Sequence, residues 1–274
     1  MTTRIGFIGA GNMASALAGG LLARGWRAAD IALSDAYPDA LVQHTQRGLF
    51  TTTDNRALVE RSDVLVLAVK PQVMAEVLKP LADIVQARQP LIISIAAGIP
   101  GASLERWLGG SLPVVRAMPN TPALVQTGAT GLFANSRVSA AQRASAESIL
   151  GAVGIALWVD SEHLIDAVTA VSGSGPAYFF YVMEAMMMAG RDLGLDEKTA
   201  RALTLQTALG AAQMAITADV WPDELRRRVT SPGGTTERAI ATFDEAGLRD
   251  IFARALSACA ARGGELATQL GQAE

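Results

Sequence analysis

Ile5-Gly6-Phe7-Ile8-Gly9-Ala10-Gly11-Asn12-Met13-Ala14 is a short apolar run that stops at two glycines, after which an amphipathic segment begins. It reads as a strand, a tight turn and a helix start. Gly9 permits the sharp turn, Gly11 lets the backbone approach a pyrophosphate, and Ala14 is small enough for the helix to pack on the strand. The anion would sit among the N–H groups around Ala10, Asn12 and Met13, where the positive end of the helix dipole needs no lysine. The apolar period resumes at Leu17, Leu21 and Leu22, which completes the strand–turn–helix setting of a dinucleotide site. A turn that serves packing alone is the competing reading.

Working outward, 274 residues of which half are apolar suffice for one large domain or two ordinary ones with a substantial core. A net charge of −3, with Arg226-Arg227-Arg228 as the one basic cluster, argues against nucleic acid or an anionic membrane as partner. That cluster reads as a solvated helix face. The single cysteine, Cys259, cannot form an internal disulfide, which suits a reducing cytoplasm, and it reads as a small buried apolar residue. Neither a secretory peptide nor a transmembrane segment is expected.

Asp30-Ile31-Ala32-Leu33-Ser34-Asp35 reads as the second strand, and it ends on an acid about 20 residues beyond the glycine turn. Asp35 there could hold a ribose 2′-hydroxyl, which leans toward NAD, or merely start the next turn. Neither Ala36 nor Tyr37 supplies the arginine that would welcome a 2′-phosphate. Asp54 is placed to cap a helix from Asn55, and Asp63-Val64-Leu65-Val66-Leu67-Ala68-Val69 fits a parallel strand buried on both faces. Lys70-Pro71 stops that strand, holding the lysine extended at a carboxyl end where open α/β sheets bind ligands. The helix over 72–88 contains Pro80, so a break is expected near Lys79. The strand Leu91-Ile92-Ile93-Ser94-Ile95-Ala96-Ala97-Gly98 ends in small residues that admit a flat ring. Further strands are read over 114–117, 131–134 and 155–159, a Ser139-capped helix over 139–151, and Asn120 offers an amide at the same rim.

From Ser161 the period is helical alone, which predicts two domains, 1–160 alternating α/β and 161–274 all-α. Tyr178, Phe179, Phe180, Tyr181, Met183, Met186, Met187 and Met188 put apolar groups nearly all round one helix. Such a helix needs cover on every side, and intertwined helices of a symmetric dimer would provide it. Two loops, Ser172-Gly173-Ser174-Gly175-Pro176 and Thr230-Ser231-Pro232-Gly233-Gly234-Thr235-Thr236, are too rich in glycine and hydroxyls for plain connectors. The second offers a nest of N–H groups at a helix start, suited to a carboxylate; a hinge with a threonine cap is the alternative.

Val229-Thr230-Ser231-Pro232-Gly233-Gly234-Thr235-Thr236 resembles the signature of the pyrroline-5-carboxylate reductases. Ile8-Gly9-Ala10-Gly11-Asn12-Met13-Ala14, Ala68-Val69-Lys70-Pro71, Arg116-Ala117-Met118-Pro119-Asn120-Thr121-Pro122-Ala123 and Ser172-Gly173-Ser174-Gly175-Pro176-Ala177-Tyr178 resemble further motifs of that family in the expected order. The resemblance spans essentially the whole chain. It implies reduction of Δ1-pyrroline-5-carboxylate to L-proline by NADPH or NADH, the last step of proline synthesis. It also implies a Rossmann-like N-terminal domain and a helical domain forming an intertwined dimer, often assembled into decamers.

By the same resemblance, Thr236 hydrogen-bonds the ring nitrogen, and Glu162 stands near the substrate's ring. Ser231, Gly233, Gly234, Thr235 and Thr236 bind the substrate. Gly9, Ala10, Gly11, Asn12, Met13, Asp35, Ala36, Asn55, Ala68, Val69, Lys70, Pro71, Ala97 and Asn120 line the cofactor site. Ala36 departs from the serine or arginine of many NADPH-using members. The two histidines, His44 and His163, read as surface residues, and with one cysteine they build no soft-ligand metal cluster and no His/Cys pair. A hydroxyacid dehydrogenase, which would place a lysine on the helix over 176–193, is the enzymatic alternative, and a non-catalytic nucleotide sensor is another.

Overall fold

A computed structural model describes residues 3–271. The chain alternates β1 (Ile5–Ile8), α1 (Asn12–Ala23), β2 (Ile31–Ser34), α2 (Pro38–Gln46), β3 (Phe50–Thr52), α3 (Asn55–Glu60) and β4 (Val64–Leu67). It continues through α4 (Met74–Leu78), α5 (Ala82–Arg88), β5 (Leu91–Ser94), α6 (Gly101–Trp107), β6 (Val114–Met118), β7 (Gly128–Ala134), α7 (Ala140–Leu150) and β8 (Gly154–Trp158). Helices alone follow: α8 (Leu164–Val168), a π-helical turn Thr169–Gly173, α9 (Gly175–Asp192), α10 (Glu197–Thr217), α11 (Pro222–Arg228), α12 (Thr235–Glu245) and α13 (Leu248–Gly271). None of the described helices is long and apolar enough to cross a membrane.

The eight strands form one sheet in the order β3-β2-β1-β4-β5-β6-β7-β8. Every neighbouring pair is parallel except β6 and β7. Side chains alternate between faces along each strand, so the apolar runs feed two cores at once. Phe7, Leu33, Val66 and Ile93 join Leu17 and Leu21 of α1 and Ile149 and Leu150 of α7 on one face. Ile8, Leu65, Leu67 and Ile92 join Met74, Leu78, Leu104 and Trp107 on the other. The sheet with helices on both faces is the expected Rossmann-like architecture.

Several local expectations hold for the reasons given. Ser139 accepts from Gln142 N–H while the Gln142 side chain accepts from Ser139 N–H, a reciprocal capping box. Asp54 accepts from Arg56 N–H at 2.8 Å. The 72–88 helix breaks into α4 and α5 around Lys79–Leu81, where Pro80 lacks a donor. Arg226, Arg227 and Arg228 are exposed, and the latter two pair with Glu224, holding its carboxyl down to about 2. Other expectations need correction. Phe50–Thr52 was not visible as a strand because it is short and polar. Thr169–Gly173, read partly as a loop, continues α8 as a π turn in which Ser172 Oγ donates back to the Val168 carbonyl. Cys259 is half-buried, not buried, and its thiol donates to Ser174 Oγ at 3.3 Å.

Compactness divides the chain differently from sequence period. One unit comprises residues 1–174 and 258–274, the other 175–257. The expected boundary at 160 marks where strands stop. α8 and the π turn, although helical, pack on the sheet: a Cβ on Gly131 would meet Val168, and one on Gly173 would meet Met118. The end of α13 also belongs to the sheet unit, where Gly271 O accepts from Ser103 Oγ and from Arg106.

Candidate active site

Main-chain bonds align the loops that follow β1, β2, β4 and β5 along one edge of the sheet. Gly9 N–H donates to Ser34 O and Ala68 N–H to Ile8 O, both at 2.8 Å, and Ile95 N–H donates to Leu67 O. The strands are laid down outward from β1 to β3 on one side and from β4 onward on the other, and the switch point between the parallel β1 and β4 opens the crevice where open α/β sheets bind ligands.

Gly9 sits at φ +100°, and a Cβ there would lie 2.7 Å from the Ala68 carbonyl oxygen, so no other residue fits between the ends of β1 and β4. At Gly11 a Cβ would meet nothing within 4 Å. Gly11 caps α1 without a side-chain bond, and the amides of Asn12 and Met13 open a helix with no acidic residue in its first turn. Open space beside uncapped amides is what a pyrophosphate requires, so these residues fit a dinucleotide.

Asp35 has a second task. Its Oδ1 accepts from Tyr37 N–H at 3.0 Å, starting the turn, and its Oδ2 accepts from Ala10 N–H at 2.9 Å, tying the glycine loop to the end of β2. Ala36 is exposed beside it. Asn55 is held by its Oδ1, which accepts from Ser34 Oγ at 2.6 Å. Lys70 is extended (φ −60°, ψ 142°) and exposed, with Pro71 opening a short 3₁₀ turn, while Ala68 and Val69 are half-buried behind it. Ala97 is half-buried next to Gly98, whose φ of +70° brings the loop against Leu266. Asn120, 8% exposed, donates to Ser172 O and accepts from Ala129 N–H, both at 2.9 Å. Its amide therefore braces the rim.

Glu162 Oε1 accepts from Gly101 N–H at 2.7 Å and from Arg116 at 3.1 Å. Arg116 is 6% exposed, so this carboxylate balances a buried guanidinium. Sequence reading missed that pairing; Arg116 and Glu162 are 46 residues apart, and no local pattern joins them.

In the other unit, Ser231, Gly233, Gly234, Thr235 and Thr236 come together at the start of α12. Gly233 has φ +71° and donates to Glu237 Oε2 at 2.7 Å, while Gly234 N–H donates to Ser231 O at 3.0 Å. Two of the expected nest amides are thus engaged by the chain itself. Thr235 and Thr236, as first and second residues of α12, keep the amides that a helix leaves unpaired. Glu237 was legible as a helix-start signal, since an acid at the third helical position commonly reaches back to the preceding backbone.

His44 is fully buried, against expectation. Its Nε2 lies 3.1 Å from Ser15 Oγ in α1, and its Nδ1 has no hydrogen-bond partner among the described residues. Burial, with Arg47 nearby, holds the imidazole below its usual range. His163 is exposed as expected.

The fold and the uncapped glycine turn define a dinucleotide-binding protein. Residues 4–98 match the family described as NADP oxidoreductase coenzyme F420-dependent, and residues 162–266 match pyrroline-5-carboxylate reductase dimerisation. The chain is 58% identical over 274 residues to the pyrroline-5-carboxylate reductase of Pseudomonas aeruginosa, covering 99% of each. A solved pyrroline-5-carboxylate reductase from Coxiella burnetii superposes with a TM-score of 0.94 at 46% identity, over 97% of this chain and 99% of that one. The Plasmodium falciparum pyrroline carboxylate reductase with NADP bound gives 0.84 at 27% identity, over 97% and 98%. The chain belongs to the pyrroline-5-carboxylate reductase family.

Proposed function

We propose that this chain reduces Δ1-pyrroline-5-carboxylate to L-proline with NADH or NADPH, as a cytoplasmic homodimer. The observation that carries the reading is the uncapped start of α1 with open space at Gly11, in a chain related to these reductases along its whole length. When bound, the dinucleotide would supply the hydride that reduces the imine. Gly11, Asn12 and Met13 would hold the pyrophosphate, Gly9 and Ala10, whose N–H groups go to Ser34 and Asp35, would shape the turn, and Asn55, Ala68, Val69, Lys70, Pro71, Ala97 and Asn120 would line the rest of the crevice.

Thr235 and Thr236 amides bind the substrate carboxylate, with Ser231, Gly233 and Gly234 shaping the turn. The Thr236 hydroxyl directs the proton on the ring nitrogen, and a protonated cyclic imine is electrophilic enough that placement supplies much of the rate. Glu162 fixes Arg116 and the start of α6. Both carboxylate oxygens of Asp35 are engaged, by Ala10 and Tyr37 N–H, and the exposed Ala36 supplies no cation, so the ratio of the NADH and NADPH rates reads the coenzyme preference.

Leu193, Ile216 and Trp221, each more than four-fifths exposed, offer apolar ground on which dimers assemble into decamers. The absence of a lysine from α9 disfavours the hydroxyacid dehydrogenase reading. Initial rates of NADH and NADPH oxidation with pyrroline-5-carboxylate, with proline identified as product, test the proposal. Binding of both coenzymes without oxidation of either would overturn it.

A further inference from the structure

Ala10 is buried between two glycines and belongs to neither β1 nor α1. Side chains hold both of its main-chain groups. Its N–H donates to Asp35 Oδ2 at 2.9 Å, and its carbonyl accepts from Ser15 Oγ, the fourth residue of α1, at 3.4 Å. Peptide groups are planar, so the Ala10 carbonyl and the Gly11 N–H turn together. Asp35 thus sets the plane before Ala10, and Ser15 sets the plane after it.

Ser15 is gripped in turn from α2. Gln43 Nε2 lies 3.4 Å and His44 Nε2 3.1 Å from its hydroxyl. A hydroxyl has one proton to give, and Ser15 gives it to Ala10, so both groups of α2 must donate to it. That assigns the His44 proton to Nε2. The assignment suits Nδ1, which is buried and has no partner among the described residues. Bare, Nδ1 leaves a lone pair unused; protonated, it would be a buried N–H with nowhere to donate.

The surroundings favour that neutral ring. α1, β2 and β3, on which α2 packs, carry no titratable side chain. The charges flanking these elements are Asp35 after β2, bonded to Ala10 and Tyr37, the exposed Asp39 in the first turn of α2, and Arg47 at its C-terminal cap. Arg47 opposes a second positive charge on the ring.

We propose, resting on the coenzyme reading above, that His44 is a positioning residue for the dinucleotide: through Ser15, its neutral imidazole aims the Gly11 amide at the pyrophosphate. Acid undoes this. A protonated ring must move to find an acceptor for Nδ1–H, and it takes its Nε2 donor away from Ser15. Affinity is therefore full while His44 is neutral and falls as the pH drops below about 6.5.

Calorimetric titration of the full chain with NAD⁺ and with NADP⁺, from about pH 8 down to about pH 5.5, tests this. The native chain should bind about five- to tenfold more weakly at the acid end, the worth of one hydrogen bond. Ser15→Ala leaves the buried ring in place and cuts the link. It should bind about five- to tenfold more weakly than the native chain at neutral pH and show no further acid weakening, with circular dichroism reporting an intact fold. His44→Leu should match it. His44→Gln carries an amide donor as many bonds from Cβ as Nε2 and does not titrate, so it should restore neutral affinity without the slope. The ligands' own titration is common to every variant and cancels in the comparison.

Acid weakening that survives in Ser15→Ala or His44→Gln belongs to another group and overturns the proposal. So does native affinity in Ser15→Ala, which decides the matter even where a His44 variant misfolds. Native binding without a slope overturns the proposal alone, whereas a native chain that binds neither dinucleotide overturns the coenzyme reading with it.

Discussion

In the unit built on the sheet, Phe7, Leu17, Leu65 and Met74 are wholly buried, and both faces of the sheet carry continuous cores. In residues 175–257, the buried residues are Gly175, Ala200 and Thr204, while Phe179, Phe180, Tyr181 and Met188 are each more than half exposed. The first unit thus buries the greater part of its apolar side chains within one chain. The second carries a protein interior's worth of side chains on its outside, so its folding energy and its association energy are largely one quantity.

Deep truncation should separate the units most sharply. Phe7→Ala is expected to cost about 3 to 5 kcal/mol, seen as a fall in melting temperature that does not depend on protein concentration. Phe180→Ser should instead shift the monomer–dimer equilibrium, with a melting temperature that drops on dilution. Equal behaviour of the two variants on dilution would erase the distinction. Thr236→Ala should lower turnover by about 100-fold with near-normal coenzyme affinity, because it lies in the unit that does not hold the dinucleotide; unchanged turnover removes Thr236 from the mechanism.

Glu162→Ala should cost about 2 to 3 kcal/mol by leaving Arg116 buried without its carboxylate, and chemical denaturation would measure it. The smallest effect concerns His44, whose pKa is lowered on folding. Below its ordinary value near 6.5 the unfolded chain takes up a proton that the folded chain resists, so stability falls as pH drops below about 6.5. Stability is full above that value, and His44→Gln should flatten the slope. An unchanged slope assigns the acid sensitivity elsewhere.

Legibility followed the same divide. Where one face or both faces of an element are buried by its own chain, period and punctuation sufficed: the glycine turn, the Pro80 break and the Ser139 cap all follow from local chemistry. Pairings across long sequence separations were invisible, as with Asp35 reaching Ala10 and Glu162 reaching Arg116, because nothing local encodes them. His44 was misread because a histidine in a polar stretch gives no sign that its helix turns it inward onto Ser15. In the helical unit the sequence showed the excess of apolar groups plainly. It also exposed the nest at Gly233 and Gly234, though not that Glu237 and Ser231 already fill two of its amides.

The return of α13 to the sheet unit bears on how the protein is made. Residues 258–271, synthesised after the whole of 175–257, place Leu270 against the second core and offer the Gly271 carbonyl to Ser103 and Arg106. A growing chain on the ribosome can pair its strands early, but that unit stays unfinished until α13 emerges. The nascent sheet must therefore wait through translation of the whole helical insert, and a ribosome stalled late leaves behind two incomplete units instead of one finished domain and a tail.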